Sequence, residues 1–239
     1  MNCAAPTLMP ELILHILDQL AFYETSADRS QQVLYSCLRC LKLLVDSMNF
    51  AFHVTEGGDD PGSHQFAGPA SSDGARLTQW TELTAQLCAW YNSRPQELTP
   101  LFETEEFQDT FPVLIFSNGA GVSSNALYHA AMLLLFSSKP QSLSDHEAQM
   151  VTDIDATQTM LMWHARCTCG IAVNSEPERT GCWDPILIAA FVLAARHITQ
   201  SSERWDIIKC LTRVKTAGWR VDSLIENLRD EWGIDGRRG

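Results

Sequence analysis

The chain has 239 residues, 45% of them hydrophobic, and a formal net charge of −12. That much apolar content supports a packed core and excludes a wholly unstructured chain. The negative charge opposes phosphate backbones, so this chain alone is not expected to hold DNA or RNA.

The first residues, MNCAAPTLMPE, carry neither the basic start nor the apolar run of an export signal. The eight cysteines are therefore expected to stay reduced inside a cell. The longest apolar run, Pro185 to Ala195, is shorter than the roughly 20 residues a bilayer span needs, so it reads as a buried helix and no membrane is implied.

Helical period begins at Pro10, where a first-turn proline precedes a stripe of Leu12, Ile13, Ile16, Leu17 and Leu20. A longer helix follows, with Val33, Leu34, Cys37, Leu38, Leu41, Leu44, Val45 and Met48 expected on its inward face. The period then stops. Residues 55–76 are rich in Gly, Pro, Ser and Asp and read as a flexible linker or loop. Leu77, Trp80, Leu83, Leu87, Trp90 and Tyr91 restart a helix, which the Arg94–Pro95 pair ends. FPVLIF, residues 111–116, reads as an extended apolar connection, because no partner strand is visible.

NALYHAAMLLLF, residues 125–136, is apolar nearly all round, with Ser123 or Ser124 as its expected cap. Ser144 and Glu147 have capping-box spacing for a helix running to about Ile171. Asp184 and Pro185 start a second all-round apolar helix reaching Ile198. A helix from Ser201 or Ser202 turns Trp205, Ile208 and Leu211 inward and stops at Gly218. The last carries Val221, Leu224, Ile225, Leu228 and Trp232 before Gly233. The expected fold is all-α, an irregular multi-helix bundle around two buried central helices, 125–136 and 185–198. The expected organisation is an N-terminal helical segment over 1–54, the linker over 55–76, a helical domain over 77–233 and a disordered tail over 234–239.

No motif announces catalysis. There is no G-x-S-x-G elbow and no H-E-x-x-H pair, and no catalytic residue is assigned. Cys37 and Cys40 have CxxC spacing without the second pair a structural zinc site needs. His164, Cys167, Cys169 and Cys182 have H-x2-C-x-C spacing plus a distant cysteine, but Cys169 would leave the helix face that His164 and Cys167 share. SNGAGVSSN, residues 117–125, lacks the phosphate-loop lysine and the third glycine of a dinucleotide fingerprint, and reads as a loop and cap. No metal or cofactor is expected. The seven tryptophans sit in or beside helices and would line a core or a pocket for a flat apolar ligand. Tyr128, His129, Trp163 and His164 are the candidate ligand-binding residues: adjacent aromatic and imidazole pairs, one on the apolar 125–136 helix and one on the helix that follows Ser144.

Several segments in order carry a family resemblance: LTAQLCAWYNSRPQELTPLF, FPVLIFSNGAGVSSNALYHAAMLLLF, HARCTCGIAV, WDPILIAAFVLAARHI and AGWRVDSLIENLRDEWG. Together, from Trp80 to Trp232, they resemble the C-terminal half of the regulatory domain of fungal binuclear zinc-cluster transcription factors. The resemblance implies a nuclear helical module that tunes metabolic or secondary-metabolite genes through a protein partner or a small apolar effector. The family's six-cysteine DNA-binding element is missing from this sequence. The alternative reading, of a different class, is a repurposed helical scaffold that binds, cyclises or isomerises a metabolite by positioning and a hydrogen-bond donor.

Overall fold

The computed structural model describes residues 28–52, 69–104, 111–140, 147–176 and 183–234. These form seven α-helices: α1 (Arg29–Phe52), α2 (Pro69–Ser93), α3 (Gly119–Ser137), α4 (Glu147–Val173), α5 (Pro185–Ala195), α6 (Ser201–Thr216) and α7 (Asp222–Trp232). The stripe from Leu12 to Leu20 lies outside the described residues, as do 55–68 of the expected linker. The remainder of that linker, 69–76, is already helical in α2.

The fold is an all-α bundle. Its centre is α3, whose residues from Ser124 to Leu133 are all buried. Helices α1, α2, α4 and α5 surround it. A hydrophobic cluster on one side joins α3 to α4, α5, α6 and α7 through Ala130, Leu133, Phe191, Ile207 and Leu228. A second cluster joins it to α1 and α2 through Cys40, Leu43, Leu87, Trp90 and Leu135. The second buried helix, α5, is covered along Leu187, Phe191, Ala194 and Ala195, and leaves a narrow outer strip at Ile186 and Ala189 open.

Local chemistry sets the helix ends. Asn118, not Ser123 or Ser124, caps α3: its Oδ1 accepts from the Gly121 amide at 2.8 Å, so the helix starts earlier than its apolar run. Ser123 instead donates to Asp184 at 2.8 Å. Asp184 is the cap of α5, accepting from the Leu187 amide at 2.7 Å, with Pro185 at the first turn. Helix α5 ends at Ala195, short of Ile198. Gly233 closes α7 in the left-handed region at φ 64°, where a side chain would be strained.

Two expectations about sheets and faces are corrected. Leu114 and Ile115 do find a strand partner, pairing antiparallel with Glu103 and Phe102 in a two-residue ribbon. Trp205 is 48% exposed, although Ile208 and Leu211 on the same helix are buried.

Helix α1 is turned differently from its hydrophobic pattern. The stripe expected inward is only half-buried, and Leu34 and Met48 are exposed. The buried face is Ser36, Cys40, Leu43, Ser47 and Phe50. Small side chains let the α1 backbone approach α3 and α2 closely, and hydrogen bonds within α1 and across to both helices accompany the contact. Ser47 donates to the Leu43 carbonyl at 2.7 Å, Cys40 donates to the Ser124 carbonyl at 3.2 Å, and Trp90 Nε1 donates to the Ser36 carbonyl at 2.8 Å.

Two further contacts hold the bundle. Arg166 of α4 pairs with Glu203 of α6 inside the core, where side-chain exposures are 10% and 1%. Gly170 of α4 lies so close to the chain at Pro112 that an added Cβ would sit 2.1 Å from the Pro112 carbonyl oxygen.

Candidate functional site

The four candidate residues come from two places in the chain and meet between α3 and α4. Tyr128 and His129 are neighbours on α3, so their side chains diverge by about 100°. Tyr128 turns toward α2, stacking on Tyr91 at 4.5 Å and on Trp90 at 5.8 Å between ring centroids. His129 turns toward α4, where its Nδ1 lies 2.9 Å from Nδ1 of His164. Trp163 sets its ring edge-on to His129 at 5.4 Å and is itself 37% exposed at the rim. The other three are 5%, 1% and 2% exposed, for Tyr128, His129 and His164 in that order.

The contact between the two Nδ1 atoms restricts the protons. One ring must carry its proton on Nδ1 and donate, and the other must be an unprotonated acceptor there. His129 Nε2 then has no hydrogen-bond partner among the described residues, as a lone pair in one arrangement and an N–H in the other. Both imidazoles are held neutral. Burial is the main cause for His129, with the neighbouring His164 and the Arg94 guanidinium acting in the same direction. Burial lowers His164 to about 3. Burial also raises the Tyr128 phenol, so it stays protonated.

Three residues outside the expected set complete the cluster. Tyr91 lies under Tyr128, Arg94 sits over the Tyr91 ring with its guanidinium 3.5 Å from the centroid, and Phe136 stacks on His164 at 5.7 Å. Tyr91 and Phe136 belong to apolar stripes in the sequence, and nothing local there distinguishes them from other core aromatics. Trp80 fastens α2 to the end of α3, donating from Nε1 to the Leu135 carbonyl at 2.8 Å.

The thiols near these helices are spent on packing. Ser124 donates to Cys37 Sγ at 3.2 Å, and Cys40 donates to the Ser124 carbonyl, so the CxxC pair is used at the α1–α3 contact. Burial raises the pKa of Cys37, Cys40 and Cys169, and raises Cys210 to about 12, which keeps these groups in the poorly nucleophilic thiol form. Among the described residues, no three His, Cys, Asp or Glu side chains are placed to hold a metal ion; Cys182 of the H-x2-C-x-C reading lies outside them. At the glycine-containing turn, Asn118 already occupies the Gly121 amide. No helix among the described residues is long and apolar enough to cross a membrane.

Compared with known proteins, the chain matches no family model, no curated protein and no solved structure.

Proposed function

We propose that the chain is a non-catalytic regulatory or interaction module of the kind its resemblance to fungal zinc-cluster transcription factors implies. It acts in the nucleus through a protein partner or a small apolar effector, without reading DNA itself. The observation that carries this reading is the condition of the α3–α4 cluster. Its two imidazoles bond to each other at 2.9 Å and are held neutral by burial, so neither is poised as a general base. The cluster instead ties three helices: Tyr128 is set on α2, and His129 on α4. Contacts that join three helices in this way suit a module that changes state on binding. The acidic charge supports a protein or small-molecule partner over nucleic acid.

Tethering tests the reading. Fused to a heterologous sequence-specific DNA-binding domain, the chain should alter transcription of a reporter carrying the matching site. Reporter output identical to that of the DNA-binding domain alone would refute it.

One observation favours the second reading, a scaffold that binds and reshapes a metabolite. Among the described residues, His129 Nε2 is a buried polar atom without a hydrogen-bond partner inside an aromatic shell, and a hydroxyl or carbonyl brought to it would gain a hydrogen bond. On this reading, native mass spectrometry of the chain purified from its own cells shows a retained organic molecule that His129→Phe abolishes. A parent protein of bare polypeptide mass counts against it.

A further inference from the structure

We propose that a groove between α5 and α7, separate from the histidine cluster, binds a small flat monocarboxylate. The groove is open to solvent and has a volume of about 360 Å³. That is within the range of about 300–1,000 Å³ typical of small-ligand sites. Its floor and walls are Val192 and Leu193 of α5, Trp219 of the α6–α7 turn and Leu224 of α7. Trp219 is half-buried and packs against the core, so it offers a flat apolar wall already held in place.

Two cations distinguish this groove from a plain apolar strip. Arg196, at the C-terminal end of α5, and Arg220, next to Trp219, both line it and are both exposed. Both line one groove on a chain whose net charge is −12. A ligand with an apolar ring and one carboxylate complements this arrangement: the ring covers the apolar floor, and the carboxylate meets the guanidinium forks.

Two carboxylates are near these arginines. Glu231 pairs with Arg196 at 3.2 Å, with side chains 53% and 42% exposed, so it is a solvent-screened pair that a ligand carboxylate would displace at little cost. Asp222, close enough to feel Arg220, is held by Lys215.

The test is a fluorescence titration of the whole chain with 2-naphthoate, and with 2-naphthalenemethanol as the neutral twin. Saturable one-to-one binding of the acid is expected, with the alcohol weaker by about tenfold, since a charge-assisted hydrogen bond is lost. Arg220→Gln should weaken the acid about tenfold and leave the alcohol unchanged. Glu231→Gln should strengthen the acid by freeing Arg196. Ala189→Trp, at an exposed position lining the groove, should block both ligands without lowering the melting temperature. The proposal is overturned by no saturable binding, by equal affinity for acid and alcohol, by weaker binding in Glu231→Gln, or by binding that survives Ala189→Trp. None of these outcomes bears on transcription, so this site and the regulatory reading stand or fall separately.

Discussion

Acid should unfold this protein through the histidine pair, and the size of the effect follows from burial. His129 and His164 are 1% and 2% exposed and stay neutral in the folded chain, with His164 titrating at about 3. In the unfolded chain each returns to about 6.5. Below that value the unfolded state binds more protons than the folded state, so stability falls as pH falls, from about 6.5 toward about 3. Between about pH 7 and pH 5 His164 contributes a loss of about 2 kcal/mol, and His129 adds to it in the same direction. That is a large share of the roughly 5–15 kcal/mol that stabilises a typical domain. His197, also lowered by burial, adds to the loss in the same sense.

The assay is urea unfolding followed by tryptophan fluorescence at a series of pH values, for the parent and for His129→Phe/His164→Phe. The comparison is of slopes against pH, so a uniform loss of stability in the double variant does not disturb it. The parent should lose stability steeply below about pH 6.5, and the double variant should lose less between pH 7 and 5, by at least the share of about 2 kcal/mol that His164 carries. Equal slopes in the two proteins would show that these imidazoles are solvated or already charged, and the description of the cluster would fail.

The remaining predictions concern the core. Leu133→Ala should destabilise by about 2–5 kcal/mol, because Leu133 is fully buried; Leu134→Ala, at a half-buried position of the same helix, should cost clearly less by the same urea assay. Glu203→Ala should lower stability in the urea assay by removing the buried carboxylate that pairs with Arg166, whereas Glu203→Ala combined with Arg166→Met should recover part of that loss. Gly170→Ala should lower the melting temperature, since its new Cβ meets a backbone carbonyl oxygen that cannot swing aside; an unchanged melting temperature would show that α4 does not press on the chain at Pro112.

Helix existence was legible in the sequence because it rests on periodicity, which is a local property. Hence the aromatic stripe of α2 with its stop before Pro95, the Asp184–Pro185 start of α5 and the Gly233 end of α7 are all readable from neighbours in the chain. The pairs Tyr128–His129 and Trp163–His164 were legible as adjacent aromatic and imidazole residues on helices for the same reason. That the two pairs meet, with nitrogen facing nitrogen, depends on how α3 and α4 are set against each other across 35 residues of sequence separation. The rotation of α1 was decided the same way. Its most apolar stripe is not its most buried one: the buried face carries the small Ser36, Cys40 and Ser47, with Cys40 bonded to the Ser124 carbonyl of α3 and the Ser36 carbonyl bonded by Trp90 of α2. The strand partner of Leu114 and the exposure of Trp205 likewise follow from what lies opposite. A sequence fixes what each turn of helix prefers to bury; only the shape of the neighbouring helices determines which preference is met.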